Sequence, residues 1–191
     1  MALPARLQRT FTPQELQFIT ENTSIEILPR YTMASIDLIT TTIPPLRAMQ
    51  RATVPVWVAV ILKQQHKCSI VPPDWLTVPQ LKHHHTVETK QLNSFSELPD
   101  NWLEVSKLFF DFAHDDLSDE VHKFRALVQD LKEIRMIKVR RGIAHVNESN
   151  LQLDNLSVLE INEIRPLLVQ TMGKLAALDK AVRGQPETVA E

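Results

Sequence analysis

Glycine is almost missing from this sequence: Gly142, Gly173 and Gly184 are the only three in 191 residues, and none lies near another. Loops that cradle phosphate need several close glycines, so that backbone N–H groups reach the anion without a Cβ in the way. The P-loop and the dinucleotide fingerprint are therefore excluded. Cysteine is rarer still. Cys68 stands alone, so no intramolecular disulfide and no CxxC zinc site can form, and a reducing compartment, cytosol or nucleus, is favoured. Net charge is only -2, too small a field to recruit nucleic acid or anionic membrane globally. The N-terminus MALPARLQRTF has no apolar secretory core. The longest apolar run, Val54 to Leu62, is far short of the roughly 20 residues that span a bilayer.

What is present reads as strands first and helices after. Thr12-Pro13-Gln14-Glu15 is a capping box with proline at the first helical position, and predicts a helix over about 13–20. Ile25 and Ile27, then Ile36 and Leu38, alternate with period 2. Val54 to Leu62 is β-branched and apolar on both faces, which predicts a strand. After Pro72-Pro73 the pattern turns helical. Thr77 to Gln80 is a second capping box before a helix over about 78–90. Trp102, Val105, Leu108, Phe109 and Phe112 step by three and four, and so do Val121 to Ile137, in a helix that can reach 147. Ser157 to Glu160 is a third capping box, and Pro166 is expected to separate a short helix from a last one. The fold class is α+β, mainly α: a small β-rich domain over 1–65, a helical domain over 66–183, and a polar tail, 184–191, expected to be disordered.

The chemistry-bearing residues mostly read as structural. His83, His84 and His85 are adjacent, so on a helix they point about 100° apart and cannot converge on one metal ion. Asp115, Asp116, Asp119 and Glu120 sit where a helix begins and are expected to cap it. Cys68 has His66 and Lys67 beside it, but neighbours on an extended chain point apart, and an inert buried thiol is expected. No catalytic, metal or cofactor site emerges. Val121 to Arg141 carries seven Lys or Arg against Asp130 and Glu133. Lys132, Arg135, Lys138, Arg140 and Arg141 form its basic-face candidates for contact with acidic protein or DNA backbone, and a stand-alone nucleic-acid-binding module using this helix is the alternative reading of function.

Apolar surface is the other signal. The residues preceding the helical region offer too little to cover both faces of a 54–62 strand. Trp57, Trp75, Trp102, Leu108, Phe109 and Phe112 are spread around their elements, which predicts faces covered by other chains.

The order of residues in VPVWVAVILKQQHKCSIVPPDWL, together with LDNLSVLEIN at 153–162 and the basic helix, resembles the Psf-two subunit family of GINS, the four-subunit complex of eukaryotic DNA replication. The resemblance covers about residues 11–180. It implies a non-catalytic scaffold with no cofactor, placed in the nucleus, packed through its helices against three sister subunits. It further implies that the assembly joins the MCM ring ATPase and a RecJ-like partner into the replicative helicase. The residues before Phe11 and the His83–His85 run have no counterpart in that pattern.

Overall fold

The structure, a computed structural model, describes residues 10–39, 41–91, 94–143 and 154–182, without the side chains of Lys180 and Val182. The tail at 184–191 and the helix residues expected at 144–147 lie outside the described residues. The fold is α+β and mainly helical. In order come α1 (Pro13–Glu21), β1 (Ser24–Pro29), β2 (Ile36–Asp37), β3 (Thr42–Ile43), β4 (Ala52–Pro55), α2 (Val56–Gln64), β5 (Cys68–Ile70), α3 (Val78–Lys90), α4 (Trp102–Phe112), a 3-10 turn (His114–Asp116), α5 (Val121–Ile143) and α6 (Val158–Val182).

The first capping box forms as expected: Thr12 Oγ1 accepts from Glu15 N–H, and Glu15 Oε2 accepts from Thr12 N–H at 2.7 Å. The third forms too, with Ser157 N–H donating to Glu160 Oε2 (2.8 Å) and Glu160 N–H to Ser157 Oγ (3.3 Å). The second does not. Thr77 makes no side-chain cap and its hydroxyl turns back to the carbonyl of Asp74, although α3 still begins one residue later.

β1 is the middle strand of an antiparallel sheet ordered β4-β1-β5. Ile25 and Ile27 point inward and Glu26 outward, as the alternation predicts. β5 lies at 68–70, past residue 65 where the sequence places the start of the helical domain.

The expected strand over 54–62 is corrected by the structure. Pairing stops at Pro55, and Val56 opens α2, a helix. Apolar sequence on both faces fits a helix covered from two sides as well as a strand so covered. α2 packs on β1, β4 and β5 with one side and meets α4 with another. Val56, Val58, Ala59 and Leu62 are buried, so intrinsic β preference gives way to burial on both sides. The chain therefore encloses most of this segment itself and leaves Ile61 exposed and Trp57 and Val60 partly open.

One apolar cluster runs from the sheet through α2 to α3, α4 and α5, including Ile27, Leu62, Leu81, Trp102, Phe109, Phe124 and Leu131. A smaller one joins Val139 on α5 to Leu156, Ile164 and Leu168. Pro166 does not divide the last helix. α6 is continuous through it, because Ile164 and Leu168 on either side are held in the same cluster and offset the local cost of the missing N–H.

Candidate subunit interface

The helices are locked by a buried ion cluster. Arg135 on α5 is fully buried, and each of its five N–H groups has an acceptor. Nε and Nη2 fork onto Glu160 of α6 at 2.7 and 3.0 Å; Nη1 donates to Glu88 of α3 (2.7 Å) and to the carbonyl of Ser96 (3.2 Å); Nη2 also reaches the carbonyl of Asn155 (2.6 Å). Lys138, one turn on, donates to the second oxygen of Glu88 and to the carbonyl of Ser94. The first oxygen of Glu88 also accepts from the N–H and hydroxyl of Ser96. Two cations and two carboxylates cancel. The Phe95 ring stacks against Arg135 at 5.1 Å and Lys138 at 5.3 Å. Burial pushes the Glu88 carboxyl up, but the bonds from Lys138 and Ser96 and the Arg135 charge prevail and hold it below the usual carboxylate range.

Arg135 and Lys138 are thus removed from the basic face expected on 121–141. Both lie on the side of α5 turned to α3 and α6, where facing carboxylates make burial tolerable. Lys132 is partly buried and bonds Glu163 of α6 at 3.1 Å. Arg140 and Arg141 are exposed. Of the five basic-face candidates, only these last two keep the free basic character that composition suggests.

A second cluster ties the sheet to the helices. Lys63, at the end of α2, bonds Asp115 (2.9 Å) and Asp116 (2.8 Å) with its ammonium nearly enclosed. Asp116 Oδ2 also accepts from the N–H of Ile70 in β5. The two aspartates expected to cap a helix are therefore an anchor between α2, β5 and the end of α4. Burial opposes the Lys63 charge, yet its two carboxylates hold its pKa above the ordinary value; the Lys63 bond holds Asp115 below. Lys63→Met is expected to destabilise the chain by about 2 kcal/mol by leaving Asp116 unpaired. The stabilisation is complete above the unfolded carboxylate pKa and below that of unfolded lysine. The difference between the two proteins in urea titrations should thus be constant from about pH 5 to 9 and shrink below about pH 4.

Cys68 is buried, with its thiol 3.7 Å from the Ala59 carbonyl. Burial pushes its pKa up to about 11. Maleimide labelling of the native protein at neutral pH is expected to be at least ~10²-fold slower than in denaturant, since the thiolate fraction alone falls by that order. Labelling of the native chain at the unfolded rate would contradict the burial.

The aromatic interface candidates divide. Trp102 and Phe109 are 0% exposed and belong to this chain's own core. Trp57, Trp75 and Leu108 are partly buried against the same core. Phe112 alone remains substantially open, at 39%. The greater bare surface lies elsewhere. On α6, Ile161, Ile164 and Leu168 form a stripe packed on the chain, and Met172, Leu175 and Leu178 continue it at helical spacing. Beyond Leu168 no described side chain of α6 is buried, and Leu178 is 63% exposed. Leu167 (49%) and Ile137 of α5 (48%) add to this surface. A cleft of about 410 Å³ between α5 and α6 is lined by Met136, Ile137, Lys132 and Glu163. The stripe is legible in the sequence as a three-four repeat past Pro166; expecting a break at that proline hides its continuity.

Comparison with known proteins accords with this architecture. The family model described as the PSF2 N-terminal domain matches residues 12–71, and that of the GINS complex protein helical bundle domain matches 75–179. The chain is 52% identical to the DNA replication complex GINS protein PSF2 of Debaryomyces hansenii, over 95% of this chain and 88% of that protein. It is 53% identical to that of Candida albicans, over 93% and 88%. With that of Saccharomyces cerevisiae the identity is 46%, over 95% and 93%.

Proposed function

We propose that this chain, which belongs to the PSF2 family of DNA replication complex GINS proteins, acts as a non-catalytic scaffold subunit of a heterotetramer. In this reading the second half of α6 and the adjoining α5 surface bury against sister subunits in the nucleus. The assembly in turn holds the MCM ring ATPase and a RecJ-like partner together as the replicative helicase. The observation that carries the reading is the change along α6: one apolar stripe is buried by this chain at Ile164 and Leu168, only half-covered at Met172 and Leu175, and open at Leu178. A helix that is amphipathic over its whole length but covered over half of it fits a partner for the rest. The alternative, a lone nucleic-acid-binding module built on α5, is disfavoured because Arg135 and Lys138 are engaged inside the fold.

The test is co-expression with the three sister chains, followed by size-exclusion chromatography. Leu175→Asp/Leu178→Asp is expected to cut tetramer recovery at least tenfold while the isolated chain melts as before. Burying each leucine is worth about 1.5–3 kcal/mol, and the new carboxylates add a desolvation cost. Full assembly by this variant would sink the proposal, as would a parent chain that remains a monomer among its partners.

A further inference from the structure

The outer face of the three-stranded sheet has a charge arrangement that fold stability does not explain. α2 covers the inner face. Outward, the register places Leu28 opposite Ser69 of β5, and the pairing continues past Pro29 to set Arg30 opposite Lys67, with Arg30 N–H donating to the Lys67 carbonyl at 2.8 Å; Arg51 immediately precedes β4. Two cations directly opposite on adjacent strands repel and destabilise a sheet. Among the described residues neither has an acidic partner within ion-pair distance, and neither does Arg47. The only carboxylate of this face, Glu26, is taken by Arg51 at 3.2 Å, and both of those side chains are more than half exposed.

The neighbouring turn adds to the patch. Met49, in the left-handed region at φ 61°, donates its N–H to the Pro29 carbonyl at 2.8 Å and so pins the 47–51 turn to the end of β1. Arg47 and Arg51 stand at the two ends of that turn. Between them and Pro44, Gln50 and Thr53 runs a shallow groove of about 380 Å³. The chain as a whole is slightly acidic, so this concentration of basic groups is local.

We infer that this face, Arg30, Arg47, Arg51 and Lys67, binds the phosphate backbone of DNA without regard to sequence. Guanidinium groups match phosphate oxygens in a bidentate fork. Each phosphate neutralised releases counterions, which supplies binding energy with no apolar contact. An acidic protein segment fits less well. On the strands themselves Leu28, half-buried, is the only large apolar side chain of this face, although Tyr31 and Met49 stand exposed beside it, and polyglutamate competition tests the acidic-protein alternative. The strands of this face carry no aromatic residue, and a single exposed ring, Tyr31, stands beside Arg30, which fits backbone contact better than base readout.

The test uses the full chain in its co-expressed assembly and a labelled 30-base-pair DNA of arbitrary sequence, read by fluorescence anisotropy across a salt series. Arg30→Glu/Lys67→Glu is expected to weaken binding at least fivefold and to flatten the salt dependence by roughly one unit of slope for each phosphate no longer neutralised. Lys82→Glu/Lys107→Glu, on exposed faces of α3 and α4, should change affinity less than twofold. Lys67→Glu alone separates ligand binding from a structural role: it turns the repelling rung into an ion pair, so it should keep or raise the melting temperature while weakening DNA binding. A weakening under fivefold in the double variant, no measurable binding by the parent, or equal competition by polyglutamate would each overturn the inference. None of these results bears on whether the subunits assemble.

Discussion

Replacing Arg135 by methionine is expected to lower the unfolding free energy by about 3–5 kcal/mol, the usual cost of removing one partner from a buried ion cluster. The substitution leaves Glu160 with no cation among its observed bonds and Glu88 with Lys138 alone. It also strands the carbonyls of Ser96 and Asn155. Because α3, α5 and α6 all meet at this guanidinium, the destabilisation should appear as one cooperative shift of the urea midpoint and not as local fraying. Arg135→Lys should recover little. An ammonium has three donors where five N–H groups are used, and it cannot fork onto Glu160 while reaching Glu88. Adding Glu160→Gln to Arg135→Met should return part of the missing stability, since Glu160 is the carboxylate left without a cation and a glutamine oxygen can still accept from Ser157 N–H. The pH dependence has a definite sign. Glu88 has a lowered pKa when folded, so its contribution is complete above the unfolded carboxylate value and is lost as pH falls through the folded one. The parent should keep its stability from neutral pH to about pH 5 and lose it below about pH 4. An Arg135→Met protein within about 1 kcal/mol of the parent would show that the cluster gives the helices their register but little of their stability.

Trp102→Ala is expected to cost a comparable amount, about 3–5 kcal/mol, as is Phe109→Ala. Both side chains are enclosed by this chain alone, so truncation opens a cavity between α4 and its neighbours. The consequence for assembly is the informative part. Measured at a temperature where the variants remain folded, recovery of the proposed tetramer per folded chain should be unchanged, because neither residue reaches the surface. Leu175→Asp/Leu178→Asp should show the opposite pattern, with normal melting and abolished assembly. If Trp102→Ala abolished assembly while leaving the melting temperature intact, the tryptophan would be an interface residue after all and the observed packing would be wrong.

These paired outcomes mark where residue patterns suffice and where they do not. The three-four steps place α4 and α5 closely, and the capping box places α1, because those signals are local. α2 reads as a strand because an apolar run on both faces satisfies either geometry, and only the layer it sits in decides. The basic helix misleads for a related reason. Composition counts charges, but whether an arginine meets water or Glu160 depends on a residue 25 positions away. The facing cations of the outer sheet are invisible to a pattern search because Arg30 and Lys67 are far apart in sequence and are brought opposite each other only by antiparallel pairing.

By itself the sequence determined the class of the fold, the helix starts at Thr12 and Ser157, the absence of a glycine-built phosphate loop and of any intramolecular disulfide, and the family. Each depends on residue identity or on spacings within a few turns of chain. The tertiary structure decided which apolar residues this chain hides and which it leaves bare, and which charges are paired inside. Burial and ion pairing are properties of what stands opposite a side chain in space, and distant strands and helices supply that only once they have packed.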